Sequence, residues 1–120
     1  MIARLYPLSG WGRFPAVRAE GSWPATIREA EARETARPSL PRGLGRSYGD
    51  ASLPSAGNAF IDTRHLDRFV AFDEATGLLE AEAGVTLSDV TRALLSRGFF
   101  LPVTPGTQFV TLGGAVASNV

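Results

Sequence analysis

The chain has 120 residues, enough for one small domain. Its 12 basic and 12 acidic residues cancel, which argues against a nucleic-acid or polybasic membrane surface, since either needs excess cationic side chains. It has no cysteine, so a disulfide scaffold and a Cys-ligated zinc or iron–sulfur site are excluded.

All the basic residues are Arg, and Ala, Gly, Pro and Arg make up 50 of the 120, a bias that matches GC-rich coding. The apolar share of 44% suits an ordinary globular core. No apolar run approaches the ~18 residues a transmembrane helix needs. The start of the chain has no signal-peptide apolar region, so the expected location is cytoplasmic.

Residues 1–22 interleave Pro7, Gly10, Gly12, Pro15 and Gly21 with Trp11 and Phe14 and read as an extended arm laying aromatics on a neighbouring surface. Residues 23–120 form the domain proper. Trp23–Thr35 is rich in helix formers, with Pro24 suited to a first turn and Glu29 spaced to pair with Arg33. Arg37-Pro38 ends that helix. Pro38–Arg42 is extended and runs into a glycine-rich turn, Gly43–Gly49. Ala59–Asp62 and Phe69–Phe72 read as strands. Leu78–Ala83 alternates and predicts a half-buried strand with Glu80 and Glu82 solvated; Asp73–Gly77 is the hairpin turn before it.

Thr86–Arg97 is the clearest helix. Thr86 and Asp89 are spaced as a capping box, and Leu87, Val90 and Leu94, with Ala93 or Leu95, share one face. Gly98 supplies a left-handed cap. Phe99–Val103 reads as a buried extended run and Thr104–Thr107 as a turn. Thr111 precedes a further helix through Gly113, Gly114 and Ala115. Partly alternating strands and helices with one hairpin give an α/β or α+β class.

Two segments carry the chemistry. The first is Pro41-Arg42-Gly43-Leu44-Gly45-Arg46-Ser47-Tyr48-Gly49-Asp50. Its glycines let the backbone turn tightly and present N–H groups to an anion; Arg42 and Arg46 add charge and Ser47 a hydroxyl. The spacing is neither the Rossmann fingerprint nor a P-loop. The alternative is a structural glycine turn with solvated arginines. The second segment runs from Pro105 to Ala115. Gly113 and Gly114 at a helix start would expose N–H groups, and Thr111 would cap that helix or donate to a ligand oxygen. The alternative there is tight helix packing. Tyr48 sits where it would touch whatever the first loop holds. Asp50 either orients Ser47 or Tyr48 or stabilises the turn. His65, the only histidine, falls in a loop, so neither a metal cluster nor a nucleophilic triad can be built from it.

Arg42–Asp50 followed some 55 residues later by Pro105–Ala115, with the early Leu8-Ser9-Gly10-Trp11-Gly12-Arg13 and the helix-opening Gly84–Asp89, resembles the FAD-binding (PCMH-type) domain of vanillyl-alcohol-oxidase-type FAD-linked oxidoreductases. Among these it is most similar to the decaprenylphosphoryl-β-D-ribose 2′-oxidase branch. The resemblance implies a small, mainly parallel sheet with flanking helices, the leading part of a larger FAD-binding domain. It implies that Pro41, Arg42, Gly43, Leu44, Gly45, Arg46, Ser47, Tyr48, Gly49, Asp50 and Ala51 line FAD. Gly106, Thr107, Thr111, Leu112, Gly113 and Gly114 would form the other wall. The implied activity is oxidation of a sugar or polyol hydroxyl by hydride transfer to flavin. The alternatives are an aldonolactone or 2-hydroxy-acid oxidoreductase of the same family, or a non-catalytic module.

Two departures matter. Many members carry a flavin-linking histidine where Arg46 stands, so dissociable FAD is implied. A His-Gly-Lys-Asn-His segment follows the Gly-Gly-Ala helix in the oxidase branch, and this sequence ends at Val120. The flavin-proximal residues, cap domain and substrate base are therefore expected outside it, with no catalytic residue and no metal site inside it. A chain ending there is expected to be inactive alone and marginally stable or self-associating.

Overall fold

The computed structural model describes residues 4–120. A four-stranded sheet is built from β1 (Leu5–Ser9), β2 (Ala16–Ser22), β3 (Ser39–Arg42) and β4 (Ala59–Asp62) in the order β1-β2-β4-β3. β1 and β2 form an antiparallel hairpin, and β4 pairs in parallel with both β2 and β3. The sheet is thus mainly parallel, as the resemblance implied. Helix α1 (Ile27–Ala36) crosses from β2 to β3. A second, two-stranded antiparallel sheet pairs β5 (Phe69–Asp73) with β6 (Leu78–Ala81). Helices α2 (Leu87–Leu94) and α3 (Leu112–Ala117) follow.

Each half has its own apolar centre. In the larger sheet Phe60 and Ile61 of β4 are buried, and the rings of Tyr6, Trp23 and Phe60 stack edge to face with centroids 4.7–6.3 Å apart. Gly21 makes this possible: a Cβ there would lie 2.3 Å from the Phe60 ring. In the other half Val85, Val90 and Leu94 are buried against Phe72, Leu79, Phe99 and Leu112.

The capping chemistry is as the spacing predicts. The Thr86 hydroxyl accepts from the Asp89 N–H at 3.0 Å, and the Asp89 carboxylate accepts from the Thr86 N–H at 3.1 Å. Gly98 is left-handed at φ 87°. Leu87, Val90 and Leu94 form the buried face, whereas Ala93 and Leu95 are exposed.

Four expectations need correction. Residues 1–22 are not a separate arm: the described ones form the β1–β2 hairpin within the sheet, while residues 1–3 lie outside the described residues. Trp11 and Phe14, expected to lie against a neighbour, are 59% and 83% exposed at the hairpin tip. Helix α1 starts at Ile27, not Trp23, because the Thr26 hydroxyl accepts from the Glu29 N–H and Glu29 reaches back to Ala25 rather than forward to Arg33. Phe99–Val103 is not a buried run: Phe100 and Val103 are largely exposed, while Phe99 turns in against Phe72.

Glu82 is the fourth correction. It is buried, because β6 ends at Ala81 and the chain then tucks under the loop before β5. Gly84 has no room for a Cβ, which would meet Thr63 O at 2.0 Å. The Glu82 carboxylate accepts from the Arg68 N–H at 2.9 Å and from its guanidinium at 2.9 and 3.1 Å, and these bonds hold its pKa below the usual glutamate range.

Candidate functional site

The glycine loop leaves the carboxyl end of β3 at Arg42. Among the described residues, none of the eight backbone N–H groups from Gly43 to Asp50 donates to a protein acceptor. Two of its glycines are left-handed, Gly45 at φ 66° and Gly49 at φ 59°, a conformation that lets the chain turn tightly there. Neither Arg42 nor Arg46 is ion-paired to a carboxylate among the described residues. Among the described residues the loop therefore offers backbone donors without a protein acceptor and one unpaired cation, Arg46, groups that can bind an anion.

The two arginines play different parts. Arg42 points into the protein: its guanidinium donates to Ser52 O and Ser52 Oγ, both at 2.9 Å, and to Ser9 O at 2.7 Å. It fills the space beside Gly45, where a Cβ would lie 2.3 Å from Arg42 Nη2. Burial lowers its pKa from the ordinary arginine value, and the nearby Asp62 carboxylate acts in the opposite direction. The expectation that Arg42 adds free charge to the loop is thus replaced by a tethering role. Arg46 is exposed, its guanidinium 5.7 Å from the centroid of the Trp11 ring. Tyr48 is 81% exposed on the same loop. Ser47 is half-buried, and its carbonyl accepts from the Trp11 N–H at 3.0 Å. Pro41, Asp50 and Ala51 are exposed and Leu44 is half-buried. The Asp50 carbonyl closes a turn with the Leu53 N–H at 2.9 Å.

The second glycine segment meets the first at one point. Thr111 is fully buried, and a Cβ on Gly43 would lie 2.4 Å from Thr111 Oγ1. Thr111 caps α3 by accepting from the Gly114 N–H at 3.1 Å and bridges to Thr86. The expectation that Gly113 and Gly114 expose free N–H groups is corrected. Leu112 N–H donates to Val85 O at 2.8 Å, Gly113 N–H to Ala83 O at 2.9 Å, and Gly114 N–H to Thr111. The helix start is spent on the protein itself, so Leu112, Gly113 and Gly114 have no N–H left to offer. Gly106 is exposed, and the Thr107 hydroxyl accepts from the Phe109 N–H; neither bonds to the first loop among the described residues.

A cleft of about 230 Å³ opens beside the loop's first residues, lined by Arg42, Gly43, Leu44, the three stacked aromatic residues, Asp62 and Arg64. Burial raises the Asp62 pKa, but the hydrogen bonds and positive charge of Arg64 outweigh it and hold the carboxyl below the ordinary 3.8. A hollow of about 300 Å³ between Asp67, Phe69, Asp89, Arg92 and Ala93 contains none of the expected site residues. His65 is exposed in its loop, and no group of His, Asp and Glu suited to a metal occurs among the described residues. No described helix is long and apolar enough to cross a membrane. Sequence reasoning missed the hairpin tip behind the glycine loop, although Leu8–Arg13 was already a recognisable motif.

Residues 22–120 match the family model described as FAD binding domain. The chain is 40% identical over 119 residues to the decaprenylphosphoryl-beta-D-ribose oxidase of Mycolicibacterium smegmatis, covering 94% of this chain and 26% of that protein. It is 29% identical over 83 residues to the glycolate oxidase subunit GlcD of Bacillus subtilis, covering 68% of this chain and 18% of that protein. The chain thus spans about a quarter or less of the length of these relatives. A cholesterol oxidase from Brevibacterium sterolicum shares the fold with a TM-score of 0.81 at 17% identity, over 98% of this chain and 24% of that one. The chain belongs to the FAD-binding domain family of FAD-dependent oxidoreductases, with FAD as its cofactor.

Proposed function

We propose that Gly43–Asp50 holds the FAD diphosphate without a covalent link, in an enzyme that oxidises a hydroxyl carbon of a sugar or polyol. The observation that carries this is the run of eight N–H groups from Gly43 to Asp50 with no protein acceptor, beside an Arg46 with no carboxylate partner among the described residues. That donor set fits two linked phosphates, because each amide can donate to an anionic oxygen. Pro41, Arg42 and Ala51 frame the loop. Thr111, Leu112, Gly113 and Gly114, with Gly106 and Thr107 upstream, form the second wall by shape rather than by donation. The sugar or polyol reading is supported by the 40%-identical relative, a decaprenylphosphoryl-beta-D-ribose oxidase.

FAD, when bound, supplies the two-electron acceptor for that oxidation. The chain's own residues bind and orient; Arg46 stands where a covalent tether would otherwise anchor the cofactor, and its charge supports a dissociable one. Titration with FAD and with riboflavin, which lacks the diphosphate, tests this. FAD is expected to bind and riboflavin to bind far more weakly, and Arg46→Glu is expected to weaken FAD by at least roughly tenfold, since it turns a charge-assisted contact into repulsion. Equal affinity for the two flavins, or an Arg46→Glu variant that binds FAD as the wild type does, would overturn the assignment.

A further inference from the structure

We propose that the tip of the β1–β2 hairpin is a brace that sets the glycine loop in its anion-binding shape, with Trp11 as a positioning residue for the Arg46 charge. The inference rests on the reading of Gly43–Asp50 as the diphosphate loop. It assigns a role to a segment ahead of the matched family residues, which begin at 22.

Four contacts tie tip to loop. Ser9 O accepts from Arg42 Nη2 at 2.7 Å. The Trp11 N–H donates to Ser47 O at 3.0 Å. Gly10 is buried so close to the loop that a Cβ would lie 2.6 Å from Gly49 O and 2.7 Å from Ser47 O. The Arg46 guanidinium lies over the Trp11 ring at 5.7 Å.

Of these contacts, the Trp11 hydrogen bond takes up the Ser47 carbonyl and Gly10 packs against that of Gly49, while none engages a loop N–H. Ser47 O is thus turned toward the hairpin, and the amides from Gly43 to Asp50 have no acceptor among the described residues. A loop whose carbonyls are held on one side presents its donors on the other, which is the polarity an anion needs. Preformed geometry also lowers the ordering cost of binding. Trp11 is 59% exposed, so its ring is not placed there to fill a core. Its aromatic face limits the positions of an otherwise mobile cation and keeps that charge beside the loop.

The test is a double-mutant cycle read by FAD titration, with the melting temperature of the cofactor-free protein measured alongside. Trp11→Ala is expected to weaken FAD binding on the order of fivefold, and Trp11→Phe, which keeps an aromatic face, to stay within about twofold of the wild type. In an Arg46→Ala background, Trp11→Ala is expected to cost little more, because the ring acts through the guanidinium. Cofactor-free melting is expected to be alike for Trp11→Phe and the wild type. Equal weakening by Trp11→Ala with and without Arg46 would overturn the proposal, because Trp11 would then act on the fold alone. Wild-type affinity in both Trp11→Ala and Gly10→Ala, whose added methyl would meet Ser47 O and Gly49 O, while Arg46→Glu binds poorly, would sink the brace and leave the diphosphate loop standing. Wild-type affinity in Trp11→Ala and Arg46→Glu alike would remove the loop reading and the brace with it.

Discussion

Arg42→Ala is expected to cost the protein both its glycine-loop geometry and its cofactor. The guanidinium ties Ser52, on the far side of the loop, to Ser9 at the end of β1. Its removal leaves the carbonyls of Ser9 and Ser52 without these donors and opens a hole beside Gly45, where the side chain now packs. Ser9 and Ser52 are half-buried, so the loss stays below the full penalty for buried acceptors, and together with the hole about 2 kcal/mol of unfolding free energy is expected to disappear. In a domain this small that lowers the melting temperature by roughly 10 °C. FAD affinity falls in parallel, by more than about tenfold, because the loop amides lose their fixed directions. Arg42→Lys is not expected to restore either property, since one ammonium cannot span both anchor points as the planar fork does. Calorimetry of the cofactor-free protein separates the two possible roles of this residue. A variant that melts like the wild type but binds FAD poorly would mean that Arg42 touches the phosphates directly.

Gly43→Ala carries the second large effect, at the point where the two glycine segments meet. The new methyl would lie 2.4 Å from Thr111 Oγ1 and 2.9 Å from Thr111 Cγ2. Thr111 has nowhere to go: it is buried, its hydroxyl caps α3, and its backbone bridges to Thr86. Overpacking at such a site costs about 1–3 kcal/mol, and the strain falls on the first residue of the anion loop, so a drop in FAD affinity on the order of tenfold is expected with it. Thr111→Ala alone loses a helix cap worth about 1 kcal/mol. The double variant is expected to be more stable than the sum of the singles predicts, because the shortened side chain makes room for the methyl. Strict additivity in chemical denaturation would contradict the contact.

These two variants also mark where the sequence was legible and where it was not. The Thr86 capping box, the Gly98 cap and the α2 face follow from spacing alone, because they join residues within a few positions of one another. The glycine loop was legible for the same reason. The inward turn of Arg42 was not, since its partners Ser9 and Ser52 are 33 and 10 residues away and are brought near only by the fold. Glu82 alternates like a solvated strand residue, yet the strand stops one position earlier and Arg68 draws the carboxylate under the chain. The start of α3 fails in an instructive way. Its glycines read as free donors, but Ala83 O, about 30 residues upstream, takes the Gly113 N–H and the capping Thr111 hydroxyl takes that of Gly114. Local pattern gives the donors of a helix start; whether they are spent depends on long-range packing.

Backbone amide chemical shifts during an FAD titration test the central claim most directly. Large shifts are expected at Gly43–Asp50, where the N–H groups have no protein acceptor among the described residues, with Leu112, Gly113 and Gly114 keeping slow hydrogen exchange because their bonds to Val85, Ala83 and Thr111 persist. Unmoved amides from Gly43 to Asp50, with the perturbation centred on the start of α3 instead, would contradict it.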